Sequence, residues 1–176
     1  MWHNNSVGLA LVPRSGSHTL FSLILKHYEP QARQESWEPY QGTRWHPVMN
    51  IQQEMCDLST GMMPREITFA VVVRDPVERF QSACARLQQT PAEVIAESLD
   101  DVHTWTIESM GLLSHPQAKY FLFTELEQCA RFLGLPTPLQ KMNEEPVKPE
   151  LTGEELQFVT QHYASDITLY NRLIQS

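Results

Sequence analysis

The chain has 176 residues, of which 41% are hydrophobic and 19% are charged. This composition excludes intrinsic disorder, and the length suits one domain with a sizeable core. A formal net charge of −8 argues against nucleic acid as a partner, because binding to phosphates takes a surplus of Lys and Arg. The cysteines are Cys56, Cys84 and Cys129, too far apart for a CxxC pair, so we expect neither a disulfide framework nor a zinc site.

Three short apolar runs are typical of buried strands. They cover residues 7–12, 67–73 and 119–123. Apolar runs without polar alternation fit parallel strands that are covered on both faces. No run approaches the roughly 18 residues of a membrane span, and the first residues lack the order of a signal peptide. We therefore expect a cytoplasmic protein without a membrane span, unless an N-terminal anchor has been removed.

Helix starts can be read from capping patterns that follow the strands. Residues 90–93 read Thr-Pro-Ala-Glu, with a cap residue, Pro at the first helical position and Glu at the third. Residues 124–127 and 152–155 repeat the Thr-x-x-Glu pattern of a capping box. Strands that alternate with helices predict a single α/β domain over residues 1–176, with three layers and a central, mainly parallel sheet flanked by helices.

Residues 29–47 differ from the rest because they show no clean periodicity. They contain three prolines and one glycine, and we expect a long loop over one end of the sheet. A loop of this length in a compact domain is more often functional than idle. Its aromatic side chains, Trp37, Tyr40 and Trp45, suit stacking on a sugar or aromatic ring, or anchoring of the loop to the core.

The first candidate anion site follows the first strand. Residues 13–19 read Pro-Arg-Ser-Gly-Ser-His-Thr and lead into an apolar helix. A glycine-containing turn between a strand and a helix directs free backbone N–H groups at an anion. Arg14 adds a fixed charge, and Ser15, Ser17 and Thr19 add hydroxyl donors. The alternative is an ordinary strand–helix turn without a ligand. A nucleoside-triphosphatase loop is not indicated, because the segment lacks the second glycine and the Gly-Lys-Ser/Thr ending of such loops.

The second candidate site follows the second strand, over residues 74–82. Arg74 stands where a parallel strand ends, which is the edge where open α/β sheets bind ligands. Asp75 fits a helix N-cap, and Pro76 fits the first turn. Ser82 lies about two turns on, so Arg74 and Ser82 are expected to share one phosphate. The alternative is a surface pair of Arg74 and Asp75 that caps the helix.

Taken together, residues 12–20 and 72–82 closely resemble the sulfotransferases that depend on 3′-phosphoadenosine 5′-phosphosulfate (PAPS), especially the carbohydrate and tyrosyl-protein branch. In that family the Pro-Lys/Arg-Ser/Thr-Gly-Ser/Thr loop holds the 5′-phosphosulfate. The Arg-Asp-Pro-x-x-Arg-Phe-x-Ser segment holds the 3′-phosphate through its first Arg and its Ser. The resemblance implies a P-loop-like fold and these cofactor-binding residues: Arg14, Ser15, Gly16, Ser17, His18, Thr19, Arg74 and Ser82.

The resemblance continues towards the C-terminus and weakens between the two motifs. Several short segments match the C-terminal third of the family in the same order: residues 115–117, 125–126, 132–135, 143 and 163–170. Residues 29–65 do not match and are expected to form a variable, acceptor-side region. Two departures are Arg14, where many relatives carry Lys, and His18, where relatives often carry a small or hydroxyl residue. The chain is also shorter than most relatives, which implies a reduced acceptor region.

The resemblance implies in-line transfer of the sulfuryl group from PAPS to a hydroxyl or amine acceptor, with 3′,5′-adenosine bisphosphate (PAP) as the product and no metal. Arg14 and the loop N–H groups would stabilise the charge on the departing phosphate. A general base in this family is a His or a Glu between the two motifs. The candidates are Glu35, Glu38 and His46; His46 is favoured because imidazole exchanges protons near neutral pH, and Glu35 is next because of its spacing after the loop.

Two other functions are compatible with the same motifs. A P-loop nucleotide kinase would share the fold and would prefer ATP with magnesium to PAPS. A non-catalytic binder would hold PAP or PAPS tightly and turn over no acceptor. The acceptor of a transferase is expected to be a small molecule or a carbohydrate. Lys141 or Lys148, in the irregular stretch 136–149, is a further candidate to reach the cofactor.

Overall fold

The computed structural model describes residues 2–3, 7–10, 12–16, 19–20, 23–24, 27, 68–97, 99, 101–113, 115–139 and 147–176. Within these ranges four strands form one sheet. They are β1 (Trp2–His3), β2 (Val7–Ala10), β3 (Thr68–Val73) and β4 (Ala118–Leu122). Their order in the sheet is β1-β2-β3-β4. β1 is antiparallel to β2, whereas β2, β3 and β4 run parallel, so the three predicted strands and the α/β class are confirmed.

Five α-helices follow β3 in the described ranges. They are α1 (Pro76–Leu87), α2 (Pro91–Ala96), α3 (Leu126–Phe132), α4 (Gly153–His162) and α5 (Ala164–Ile174). Short 3₁₀ turns occupy Val102–Thr104 and Phe123–Glu125. The described residues between 19 and 27 are helical too, as predicted after the first loop. In this part of the chain no helix is both long enough and apolar enough to cross a membrane.

Most of the predicted helix starts are present. Thr90 and Thr152 each form a complete capping box, and Asp75 caps α1 by accepting a hydrogen bond from the backbone N–H of Glu78 at 3.0 Å. The capping box predicted at Thr124 is wrong. Thr124 lies inside the 3₁₀ turn that follows β4 directly, and α3 begins without a side-chain cap. An N-cap needs extended backbone, and the tight turn removes it.

Apolar side chains cover both faces of the sheet, because successive residues of a strand point to opposite sides. On β3, Ala70 and Val72 face one cluster, while Phe69, Val71 and Val73 face the other. The first cluster is completed by residues of the first helical segment, of α3 and of the position directly after α3: Leu20, Ile24, Cys129, Ala130 and Leu133. The second is completed by Ile107, Met110, Leu112 and Leu169 of α5. Because both faces of the sheet are buried, the strands carry apolar residues at consecutive positions instead of alternating with polar ones.

A third apolar cluster fixes the position of α1. Phe80 and Cys84 of α1 pack with Val94 of α2, Val159 of α4 and Tyr163 between α4 and α5. The helix therefore has one face buried along its length. Two residues separate the end of β3 from the start of α1, so α1 begins at the carboxyl edge of the sheet.

Candidate anion-binding site

The loop after β2 is a tight turn held against the start of α3. Arg14 has φ 60° and Gly16 has φ 75°, both in the left-handed region. A Cβ on Gly16 would lie 3.0 Å from both methyl carbons of Leu126 and 3.1 Å from the Phe123 ring. The backbone therefore approaches those side chains more closely than any residue but glycine permits. The following helix begins from this turn, since the N–H of Leu20 donates to the Gly16 carbonyl at 3.2 Å.

Ser15 lies at the centre of the turn and is fully buried, with 0% of its surface exposed. Its Oγ has no hydrogen-bond partner among the described residues. A buried hydroxyl without a hydrogen-bond partner lowers the stability of the folded state by about 1–3 kcal/mol, so such groups are rare in native proteins. An anion held in the turn would accept the missing hydrogen bond.

The two candidate motifs meet in space. The guanidinium of Arg14 donates to the Ser82 hydroxyl twice, from Nε at 3.0 Å and from Nη2 at 2.8 Å. Arg14 belongs to the turn after β2, and Ser82 belongs to the buried face of α1, after β3. Because β2 and β3 are adjacent and parallel, their carboxyl ends bring together residues 68 positions apart. The two candidate anion sites of the sequence therefore lie next to each other in the structure.

Arg74 joins the same group from the end of β3. Its side chain is 5% exposed, its Nη1 donates to the Arg14 carbonyl at 3.3 Å, and its guanidinium carbon stands 4.5 Å from the centre of the Phe123 ring. A cation over an aromatic face is held by the ring's negative electrostatic face. Arg74 also donates to Oε2 of Glu78, from Nη2 at 3.2 Å and from Nε at 3.4 Å. Glu78, one turn into α1, is therefore a carboxylate partner of Arg74.

A second cation reaches Glu78 from the segment 147–150. Lys148 Nζ lies 3.2 Å from the same oxygen, Oε2, that Arg74 contacts. Next to it, Gln81 Nε2 donates to the Pro149 carbonyl at 2.8 Å, which ties the segment to α1. Partial burial raises the pKa of Glu78, but the hydrogen bonds and charges of Lys148 and Arg74 outweigh it and lower that pKa below its ordinary value. Glu78 is therefore ionised at neutral pH.

Sequence reasoning gave no role to Arg79, which the structure shows to be a buried anchor. Its Nη2 donates to Asp166 Oδ2 at 2.8 Å and to the Trp105 carbonyl at 2.9 Å. Asp166 also accepts from the backbone N–H of Ile107, at 2.8 Å to Oδ2. A signal was present in the sequence, since Arg79 occupies an apolar stripe of α1 next to Phe80.

Other predicted site residues lie outside the described residues. They are Ser17, His18, Glu35, Glu38 and His46, together with the whole acceptor-side region 29–65. Thr19 is described and is helical, half-buried at the start of the first helical segment. The assignments of a general base to His46 or Glu35 therefore stay predictions. Among the residues that the structure describes, no three His, Cys, Asp or Glu side chains cluster as a metal site would require.

Comparison of the chain with protein-family models, with curated proteins and with solved structures finds no match. Its function is therefore inferred from its own residues and from the geometry in which they meet.

Proposed function

We propose that this chain is a sulfotransferase, which binds PAPS and moves its sulfuryl group to a hydroxyl or amine of a small-molecule or carbohydrate acceptor. The observation that carries the proposal is the contact between Arg14 and Ser82 at 2.8 and 3.0 Å. It joins the two segments that resemble the 5′-phosphosulfate and 3′-phosphate loops of that family. In this proposal the domain is a three-layer, P-loop-like fold with the cofactor at the carboxyl ends of β2 and β3.

The residues of the turn fit an anionic cofactor. The Ser15 hydroxyl is buried and has no partner in the described chain, and Arg14 brings a positive charge to the same turn. Charge-assisted hydrogen bonds to phosphate are about twice as strong as neutral ones. Arg14, Ser15 and Gly16, with Ser17, His18 and Thr19, would hold the 5′ end of the cofactor.

The Ser82 hydroxyl is able to donate a hydrogen bond to a phosphate. Because its oxygen already accepts two N–H groups from Arg14, its own hydrogen remains free to point at a phosphate oxygen. Arg74, directly after β3, donates from its guanidinium to the Arg14 carbonyl and would supply the positive charge for the same phosphate. Arg74 and Ser82 would thus hold the 3′-phosphate and fix the position of the nucleotide.

Bound PAPS would supply an activated sulfuryl group, and the protein's own contribution is binding, orientation and charge. Arg14 would stabilise negative charge at the 5′-phosphate as the transfer proceeds. His46 or, as the second candidate, Glu35 would take the proton of the acceptor. No metal is part of this proposal.

Calorimetric titration with PAP, with 5′-AMP and ATP-magnesium as comparison ligands, tests the proposal. We expect PAP to bind well above 5′-AMP, and Arg74→Ala to weaken PAP roughly 10- to 100-fold, the range for hydrogen bonds to a charged group. Arg131→Ala is the matched control, because Arg131 is exposed on α3 and its pair with Glu127, at 3.8 Å, is exposed as well. It should leave PAP binding unchanged.

Equal or stronger binding of ATP-magnesium would overturn the proposal in favour of a nucleotide kinase. Tight PAP binding calls for a second step, an acceptor screen with PAPS. A transferase turns over at least one acceptor, and His46→Ala or Glu35→Ala lowers that rate. Absence of turnover on every acceptor, with PAPS hydrolysis unchanged in both variants, would indicate a non-catalytic binder instead.

A further inference from the structure

A third strand brings an aromatic residue next to the two candidate anion-binding loops. The last pair in the register between β3 and β4 is Val73 with Leu122. Arg74 and Phe123 are the next residues of the two segments, so both lie at the carboxyl edge of the sheet. Neither candidate motif contains Phe123, and sequence reasoning assigned it no function.

The Phe123 ring contacts both loops. The guanidinium carbon of Arg74 stands over the ring, 4.5 Å from its centre. On the other loop, a Cβ added to Gly16 would lie 3.1 Å from Cε2 of the same ring, so the ring lies directly against the turn after β2. One side chain therefore connects the turn that carries Arg14 with the strand end that carries Arg74.

The ring contacts Arg74 without using any of its hydrogen-bond donors. Those N–H groups donate to oxygen acceptors: Nη1 to the Arg14 carbonyl, and Nε and Nη2 to Glu78. The ring attracts the guanidinium through its negative electrostatic face, and this attraction is stronger where water is excluded. The Arg74 side chain is only 5% exposed. Phe123 therefore helps to set the direction of the guanidinium before any ligand binds.

A side chain that is already fixed binds a ligand at a lower entropic cost. An arginine side chain has several rotatable bonds, and immobilising such a side chain on binding weakens the affinity by about two- to ten-fold. Without the aromatic ring, Arg74 would sample more rotamers in the unliganded protein. Binding of a phosphate would then have to restrict them.

We propose that Phe123 is a positioning residue of the nucleotide site, which holds the guanidinium of Arg74 in the orientation that receives the 3′-phosphate. Phe123 acts through Arg74. This inference rests on the proposed function, because the ligand group assigned to Arg74 is the 3′-phosphate of PAP or PAPS.

The test is calorimetric titration of Phe123→Leu with PAP and with 5′-AMP, which lacks the 3′-phosphate. Leucine keeps an apolar side chain at this position but has no aromatic face. We expect Phe123→Leu to bind PAP about two- to ten-fold more weakly and 5′-AMP by a smaller factor. A disturbance of the turn at Gly16 would affect both nucleotides alike, so the preference for PAP over 5′-AMP reports on Arg74. Phe123→Tyr keeps the ring and should keep the preference of the wild type.

A cycle with Arg74→Ala tests whether Phe123 acts through Arg74. Once the guanidinium is absent, adding Phe123→Leu should narrow the preference for PAP no further. Phe132→Leu is the matched control, because Phe132 packs against the same apolar cluster and its ring holds another cation, Lys119, at 5.0 Å. It should leave the preference unchanged.

The outcomes separate this inference from the proposed function. An unchanged preference in Phe123→Leu, or a loss in Phe123→Tyr as large as in Phe123→Leu, overturns the role of Phe123 and leaves the sulfotransferase proposal standing. A further loss of preference when Phe123→Leu is added to Arg74→Ala overturns that role as well. Failure of PAP to bind the wild type overturns the proposed function and the inference with it.

Folding of each variant is checked by circular dichroism. Phe123→Met also lacks a ring but fills irregular space more readily, so it provides the same comparison if Phe123→Leu does not fold. A preference that narrows without the ring, returns with Phe123→Tyr and depends on Arg74 supports both the inference and the proposed function.

Discussion

Replacing Asp166 by alanine should destabilise the protein more than any surface substitution, because it leaves the buried guanidinium of Arg79 without its carboxylate partner. The side chains of Arg79 and Asp166 are 2% and 1% exposed. After Asp166→Ala, the guanidinium keeps the Trp105 carbonyl at 2.9 Å and the Tyr163 ring, 5.0 Å from its carbon, but no carboxylate that the structure shows. Guanidinium cannot lose its proton, so the charge stays.

The expected loss follows from the groups left unpaired. Breaking a buried ion pair by removing one partner costs about 3–5 kcal/mol. The backbone N–H of Ile107, which donates to Asp166, also loses its acceptor, so we place Asp166→Ala at the upper end of that range. Arg79→Met should lie at the lower end, because the Asp166 carboxylate keeps the backbone N–H donors of Ile107 and Glu108.

Urea unfolding followed by circular dichroism measures these losses. With a slope of about 2 kcal/mol per molar urea, Asp166→Ala should lower the midpoint by roughly 2 M. Glu127→Ala is the control, since Glu127 and Arg131 form an exposed pair worth at most about 1 kcal/mol. The double variant Arg79→Met with Asp166→Ala should cost clearly less than the sum of the single changes.

Two results would refute this reasoning. One is a loss for Asp166→Ala no larger than that for Glu127→Ala. The other is additivity of the Arg79 and Asp166 changes, which would mean that the two side chains contribute independently.

Three further predictions concern the turn, a helix cap and the buried thiols. Gly16→Ala should lower the free energy of unfolding by about 1–2 kcal/mol in urea, because φ 75° is strained for alanine and the new methyl meets Leu126 at 3.0 Å; an unchanged midpoint would contradict the close packing. Thr152→Ala should cost about 0.5–2 kcal/mol in the same assay, since it removes the capping box of α4, and Thr152→Ser should restore most of the loss. Burial raises the pKa of the Cys84 thiol to about 11 and that of Cys129 to about 12, from an ordinary 9.0. Because folding raises these pKa values, the unfolded chain loses its thiol protons at a lower pH than the folded chain does. The free energy of unfolding therefore keeps its full value below pH 9 and falls as the pH rises towards 11–12. Urea midpoints should fall between pH 9 and 12, and they should fall less in Cys84→Ala.

The sheet could be predicted from the sequence because its signal is local. Each parallel strand is a short run of apolar residues, and burial on both faces demands that pattern whatever the neighbours are. The caps at Thr90 and Thr152 were predictable for the same reason, since a capping box is complete within four residues. The cap expected at Thr124 was wrong because the strand before it leads into a 3₁₀ turn, which depends on packing and not on the four residues themselves.

The partners within the site could be predicted only in part. The sequence placed Arg74 at the edge where open α/β sheets bind ligands, and the structure brings the Arg14 carbonyl to the same edge. The prediction that Ser82 and Arg74 share one phosphate stays a prediction, and the sequence did not indicate that the guanidinium of Arg14 donates to Ser82 and that of Arg74 to Glu78. Long basic side chains have several acceptors within reach, and the choice among them depends on tertiary geometry that spacing along one segment does not contain.

Long-range pairs were beyond the sequence altogether. Arg79 and Asp166 lie 87 residues apart, and nothing in either segment names the other. A charged residue in the apolar stripe of a helix indicates that an oppositely charged or polar partner exists. The sequence does not indicate which buried position of a later helix supplies that partner.

The separation of Arg79 and Asp166 also bears on the order in which the protein acquires its structure during synthesis. α1, which carries Ser82, leaves the ribosome well before α5, which carries Asp166. During that interval the guanidinium of Arg79 lacks its carboxylate, so α1 is expected to associate with the sheet only loosely. The candidate anion-binding site contains Arg14, Arg74 and Ser82, all in the first half of the chain, but it would then reach its final geometry only after translation has passed residue 166.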